Sequence, residues 1–109
     1  ESMADPAYKD MLVSATSADL LVSAGITGSN ASWLKPSLQA NGIDPDNMPG
    51  APERSYDSNQ TLGARRWKDV WAAGQGVGAI KAVEPVSQVV DRLEQEWLAA
   101  RARFQACAV

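Results

Sequence analysis

The chain has 109 residues, of which 45% are hydrophobic, a length and balance typical of at most one soluble globular domain. Ten basic residues against 13 acidic ones give a formal charge of −3, which argues against a nucleic-acid partner because a phosphate backbone is bound by basic surface. With no His and a single Cys, Cys107, the chain lacks the residues for a His-based triad, a zinc cluster or an internal disulfide.

No membrane segment is expected either. No stretch approaches the roughly 18 consecutive apolar residues that span a bilayer. The first ten residues also lack the basic and apolar regions of a secretory signal. We therefore expect a cytoplasmic protein with no membrane partner.

The first predicted helix begins at Pro6. Asp5 can cap free amide groups, and a proline is tolerated in the first turn, where no donor is needed. Apolar side chains then recur at helical spacing on one stripe, at Tyr8, Met11, Leu12 and Ala15. The short apolar run 19–22 that follows fits a strand or a helix by periodicity, and we favour a strand.

A second helix is predicted from Pro36 to Asn41. Asn30 could cap an earlier start, but Pro36 disfavours helical geometry at the preceding residue. Gly42 can take the left-handed conformation that ends a helix. Residues 43–63 are rich in Pro, Asp, Asn and Ser and are predicted to form a long loop.

The second half of the chain contains two further predicted helices. Residues 64–73 carry Trp67, Val70 and Trp71 at helical spacing, and Gly74 is suited to end that helix. The last helix opens at Pro85, and its apolar residues step by threes and fours for five turns as far as Phe104. Burial in a core is the favoured explanation for Trp67, Trp71 and Trp97, whereas Trp33 is less constrained and could lie beside a pocket.

The sequence AGQGVG at residues 73–78 has two interpretations. Bare glycine amides can cradle a phosphate, but these glycines follow a predicted helix instead of a strand, and their spacing is not that of a dinucleotide fingerprint. From the residues alone, a turn that ends a helix is favoured over a loop that lines a ligand pocket.

Three stretches, taken in order over residues 1–98, resemble the carboxy-terminal third of bacterial nitronate monooxygenases, formerly called 2-nitropropane dioxygenases. The most specific blocks are L-K-P-S-L…G-x-D-P-D-N, from Leu34 to Asn47, and W-K-D-x-W-x-A-G-Q-G-V-G, from Trp67 to Gly78. The resemblance implies an FMN-dependent oxidoreductase on a TIM barrel, which oxidises alkyl nitronates with O2 to a carbonyl compound and nitrite.

Such a barrel needs about 250 residues, so the resemblance implies that this chain is part of a longer protein. The implied fold class is α/β, with the chain itself mostly α-helical. Residues 1–28 would supply the last helix and strand of a partial barrel, and residues 29–109 a helical extension. The remaining amino-terminal portion of the barrel would be the main partner and would hold most of the FMN.

The resemblance also implies which residues line the pocket for flavin and a small-molecule substrate. They are Gly25, Thr27 and Gly28 in the loop after the predicted strand, and Gly74, Gln75 and Gly76 in the glycine run. No catalytic residue and no metal ligand is expected, because the family's catalytic His has no counterpart here. Two alternatives stay open: a non-catalytic helical module that docks on a partner through residues 85–104, and a related flavin-dependent enoyl or quinone reductase.

Overall fold

The computed structural model describes residues 2–51 and 68–107. About half of these residues are helical. The elements are α1 (Pro6–Ser14), β1 (Leu20–Ser23), β2 (Ala31–Leu34), α2 (Lys35–Ala40) and α3 (Val86–Cys107), with 3-10 helices at Ser17–Asp19 and Gln75–Ala79. Among the described helices, none is long and apolar enough to cross a membrane.

The chain divides into two compact units. The hairpin unit comprises the described residues of Ala4–Lys81. The helical unit comprises the described residues of Glu1–Met3 and Ala82–Val109.

Helix α1 begins as its sequence predicts. The Asp5 side chain accepts a hydrogen bond of 2.8 Å from the Ala7 amide, and Pro6 is the first helical residue. The helix ends at Ser14, and Ala15 follows in extended conformation with its side chain buried. The cap therefore satisfies one of the amide groups that a helix start leaves unpaired.

An antiparallel hairpin follows α1. β1 confirms the predicted strand and pairs with β2, so that Leu20 lies opposite Leu34 and Ser23 opposite Ala31. The sequence does not predict β2, because its four residues show little periodicity and Pro36 directly after them indicates a helix start. The indole of Trp33, whose side chain is fully buried, donates to the Ser23 carbonyl at 3.2 Å.

The other edge of β2 pairs with residues 71–73. The Leu34 amide donates to the Trp71 carbonyl at 3.0 Å, and the Ala73 amide donates to the Ser32 carbonyl at 3.1 Å. The predicted helix over 64–73 is therefore wrong for residues 68–73, which form a turn and an extended bridge. Residues 64–67 lie outside the described residues. Tertiary pairing with an open strand edge overrides the helical spacing here.

The predicted second helix is confirmed as α2, which starts one residue earlier than expected. Gly42 ends it with a φ of 73°, in the left-handed region that glycine adopts without strain. Residues 43–51 contain no helix or strand, as predicted, and Asp44 accepts from the Asp46 amide at 3.0 Å in an Asx turn. The rest of the predicted loop, 52–63, lies outside the described residues.

Side chains of β2 alternate between two faces, and each face carries its own apolar cluster. The Trp33 face holds the buried side chains Ile26, Trp33, Leu38, Ile43 and Val70. The Leu34 face holds Ala15, Leu34 and Val77, packed against apolar residues of α1. The short sheet therefore packs against apolar side chains on both faces, although Val22 of β1 is 66% exposed.

A buried serine joins α2 to the segment 68–71. Ser37 is 1% exposed, and its hydroxyl accepts from the Trp71 amide at 2.8 Å. Asn41, one turn later, donates to the carbonyls of Ser37 and Asp69, both at 2.8 Å. These bonds hold the segment in the turn that leads into its pairing with β2.

The predicted boundary between residues 28 and 29 falls inside the hairpin. β1 and β2 pair across it, and the compact units divide between Lys81 and Ala82 instead. Strands of a TIM barrel pair in parallel, whereas this pair is antiparallel. The pairing of these two strands therefore differs from the parallel pairing expected in a barrel wall.

The helical unit contains α3, which confirms the last predicted helix. Pro85 directly precedes its first residue, and Arg92 forms an ion pair with Glu84 and a longer one, 3.9 Å, with Glu96. No residue of α3 is buried. The predicted burial of Trp97 is wrong, since 59% of it is exposed, and its ring contacts the Arg101 guanidinium at 5.5 Å.

We expect Ser37→Ala to lower the free energy of unfolding of the hairpin unit by about 1–3 kcal/mol, because it leaves the partly buried Trp71 amide without its acceptor. Urea unfolding followed by tryptophan fluorescence measures the change. Ser14→Ala is the matched control, since that exposed hydroxyl only adds bonds to helix carbonyls that water can replace. Equal effects of the two substitutions would contradict the role given to Ser37.

Candidate functional site

The first candidate pocket segment is the turn between β1 and β2. Gly25 is buried in it, and a Cβ atom at this position would lie 2.4 Å from the Pro49 carbonyl oxygen. The Gly25 amide donates to the Ser23 hydroxyl at 3.0 Å. Glycine is therefore required here by the close approach of the chain's own residues 48–50, and its amide already has an acceptor.

The other two predicted residues of this turn also have local roles. Gly28 has a φ of 78° and donates its amide to the Ala24 carbonyl at 2.8 Å, which closes the turn. The Thr27 hydroxyl donates to the Ser29 carbonyl at 3.0 Å. These contacts explain why glycine and threonine occupy the turn without invoking a ligand. The amides of Gly25 and Gly28 already have acceptors and do not form an open phosphate-binding site.

The second candidate segment is the glycine run before and within the 3-10 helix Gln75–Ala79. Gly74, Gln75 and Gly76 are exposed, and a Cβ atom at either glycine would meet nothing within 4 Å. Neither glycine has positive φ. Within the described residues, no steric or conformational requirement explains glycine at these two positions, so the run offers backbone that another surface can approach closely.

Val77 anchors this exposed run. It is buried on the Leu34 face, and the Val77 amide donates to the Gly74 carbonyl at 3.0 Å. The predicted turn at the end of a helix is replaced by this 3-10 helix, because residues 71–73 are extended. The Gln75 side chain projects from a segment whose base is held by core packing.

The structure does not bring the two candidate segments into one cluster. The turn is anchored by Ile26 on the Trp33 face, whereas the glycine run is anchored by Val77 on the Leu34 face. A stack of Tyr8 on Trp71, with ring centroids 5.1 Å apart, covers part of the Leu34 face, and the Tyr8 hydroxyl donates to the Ala72 carbonyl. The aromatic rings near the glycine run thus already pack against each other within the hairpin unit.

The charged groups of the described residues offer no candidate metal centre. Within residues 2–51 and 68–107, no cluster of three or more His, Cys, Asp or Glu side chains could hold a metal ion. Asp19 instead caps the 3-10 helix Ser17–Asp19, where it accepts from the Thr16 amide at 2.7 Å and the Thr16 hydroxyl at 3.0 Å. These hydrogen bonds, with a smaller contribution from Lys35, hold the pKa of Asp19 below its ordinary value.

The structure leaves open the apolar stripe of α3, which the sequence predicts as the docking surface of the alternative helical module. Leu93, Trp97 and Phe104 on this stripe are more than half exposed. The signal was available in the sequence, since the apolar residues of this helix alternate between spacings of four and three.

No family model, curated protein or solved structure shows a significant match to this chain.

Gly25→Ala should destabilise the hairpin unit by about 1–3 kcal/mol, because the new methyl group overlaps the Pro49 carbonyl and the backbone must shift. Gly76→Ala is the control, and we expect it to change the free energy of unfolding by less than about 0.5 kcal/mol. Thermal unfolding of both variants tests the contrast. A Gly25→Ala protein as stable as the Gly76→Ala protein would show that the approach of Pro49 is not tight.

We expect Asp19→Asn to lower stability at neutral pH and to have little effect in acid. Because the folded-state pKa of Asp19 is depressed, its contribution is present above the unfolded-state pKa of about 3.9 and is lost as the pH falls through the folded-state pKa. Urea unfolding over a pH series measures it. Asp10→Asn, at an exposed position of α1, serves as the control, and a pH-independent effect of Asp19→Asn would contradict the carboxylate's role.

Proposed function

We propose that this chain is the carboxy-terminal segment of an FMN-dependent oxidoreductase similar to nitronate monooxygenases, acting in the cytoplasm. Its substrate would be a small alkyl nitronate, oxidised with O2 to a carbonyl compound and nitrite. The rest of the barrel would hold most of the FMN, and this segment would help to close the pocket.

The proposal is carried by one observation. The block W-K-D-x-W-x-A-G-Q-G-V-G, which resembles the family, ends in an exposed glycine run that has open space above Gly74 and Gly76. Nothing among the described residues requires glycine at these two positions. Close approach of a cofactor or of neighbouring barrel chain is a reason for glycine that the hairpin unit itself does not supply.

The turn at Gly25–Gly28 supports a more limited role. Its glycine amides already donate to Ser23 and Ala24, so it fits a flavin phosphate poorly. The antiparallel pairing of β1 with β2 likewise suits an extension at the mouth of the barrel better than its parallel wall. We therefore assign the pocket-lining role to the glycine run and a supporting role to the turn.

When bound, FMN would supply the redox chemistry of the reaction. This chain would help to position the substrate beside the flavin and to exclude water from the pocket. The side-chain amide of Gln75 can donate to a substrate oxygen or to a flavin carbonyl, and it can also accept a hydrogen bond. The apolar packing of Val77 holds the segment that carries this amide. Held in place, the segment would help to keep water from the pocket.

Two alternative functions predicted from the sequence can be tested against this proposal. The exposed apolar stripe of α3 favours a non-catalytic helical module that docks on a partner. The same scaffold could also serve an enoyl or quinone reductase. Steady-state assays of the protein at its natural length with a nitronate, with NADH plus quinone, and with an enoyl thioester distinguish the enzyme classes.

A visible absorption spectrum of that protein tests whether flavin is present at all. Bound FMN gives a yellow protein, whose cofactor can be released by heat and identified by mass. A colourless, folded protein that gains no flavin on incubation with FMN would overturn the proposal and favour the helical module.

In the flavin-loaded protein, we expect Gln75→Ala to lower turnover by about tenfold or to weaken flavin retention, which is the effect of losing about one hydrogen bond to the reacting groups. Gln88→Ala, the same change on the exposed surface of α3, is the matched control. If both variants keep full turnover and full flavin content, Gln75 is not part of the site.

A further inference from the structure

The apolar stripe of α3 has the spacing of a coiled-coil seam. Its exposed residues follow one another at alternating steps of four and three, which is a heptad repeat over three turns of the pattern: Val86, Val90, Leu93, Trp97, Ala100 and Phe104. Phe104 is 78% exposed. The next position of the seam is Cys107, which is also exposed.

The residues that flank this seam are acidic in one half of the helix and basic in the other. Glu94 and Glu96 stand on its two sides in the first half of the helix, at the positions that contact a partner helix in a coiled coil. Arg101 and Arg103 stand on the same two sides one heptad later. The flanking positions are therefore acidic in the first half of α3 and basic in the second. Arg92 lies outside these positions and forms ion pairs with Glu84 and Glu96.

We propose that α3 binds α3 of a second copy of this chain in an antiparallel pair. In this arrangement Glu94 faces Arg101 of the second copy, and Glu96 faces Arg103 of the second copy. Because the pair is symmetric, each of these two contacts occurs twice, and four opposite-charge pairs flank the seam. The opposed helix dipoles add to the preference for antiparallel alignment.

The seam residues fit the same alignment. Trp97 packs opposite Ala100 of the second copy, and Leu93 packs opposite Phe104 of the second copy, so that large side chains meet smaller ones. A parallel pair would instead set Trp97 against Trp97 and Ala100 against Ala100. It would also keep only the Glu96 to Arg101 attraction, so charge and volume both favour the antiparallel form.

The overlap runs from Val90 to Cys107, about 27 Å of helix at 1.5 Å per residue. This length is short for a coiled coil, so we expect a reversible, salt-sensitive dimer that dissociates on dilution. The inference does not depend on flavin. The pairing concerns only the partner of α3, and a failure to dimerise would not bear on the proposed enzyme function.

Sedimentation equilibrium over a range of protein concentrations tests the pairing. We expect a monomer–dimer equilibrium whose dissociation constant rises about tenfold or more when Arg101 and Arg103 are both replaced by Glu, since four attractions become four repulsions. The variant with Glu94 and Glu96 replaced by Lys should be similarly weakened. An equimolar mixture of the two variants should recover the dimer.

Lys81→Glu is the control for a change of net charge away from α3, and circular dichroism checks that each variant keeps its helix. A monomer at every concentration would overturn the proposal and favour a different partner for this face. A dimer whose dissociation constant ignores the charge reversals, or a mixture that fails to recover it, would also overturn it.

Cysteine crosslinking tests the orientation. In the antiparallel pair, position 90 lies opposite Cys107 of the second copy, within reach of a disulfide. Val90→Cys should therefore form a covalent dimer on mild oxidation, whereas the wild-type chain and the Val90→Cys, Cys107→Ala double variant should not. Ready crosslinking of the wild-type chain through Cys107 would indicate a parallel pair and overturn the antiparallel assignment.

Discussion

The hairpin unit depends on the pairing of both edges of β2. One edge pairs with β1. The other edge exchanges backbone hydrogen bonds with residues 71–73, which are distant in sequence. Trp33 and Leu34, adjacent on this strand, point to opposite faces, and each is buried in one of the two apolar clusters. Each cluster is small, so the buried hydrogen bonds of Ser37 matter more than they would in a large core, since they hold the distant segment at the strand edge.

This architecture gives different physical meanings to the glycines that the sequence analysis grouped as pocket residues. Gly25 and Gly28 are needed by the turn itself, one for a close backbone approach and one for a positive φ. Gly74 and Gly76 have negative φ and open space. Glycines whose presence the fold itself does not explain are the better indication of a contact with something outside the hairpin unit. The proposed pocket role therefore rests on residues 74–76.

The helical unit follows a different principle. Its long helix buries no side chain, and an amphipathic helix of this kind gains most of its stability by covering its apolar face. The separation of Glu94 and Glu96 from Arg101 and Arg103 makes the face self-complementary when two copies run in opposite directions. Flavin chemistry and self-association would use different parts of the chain, so the two proposals can be tested independently.

The sequence by itself determined the elements whose signals are local. Asp5 and Pro6 define the start of α1, Gly42 defines the end of α2, and the apolar steps from Val86 define α3, because caps, positive φ and helical periodicity act within a few residues. The tertiary structure alone decided the conformation of β2 and of residues 68–73. In both segments the local preference is weak or helical, and the hydrogen bonds that override it come from strands and side chains far along the chain.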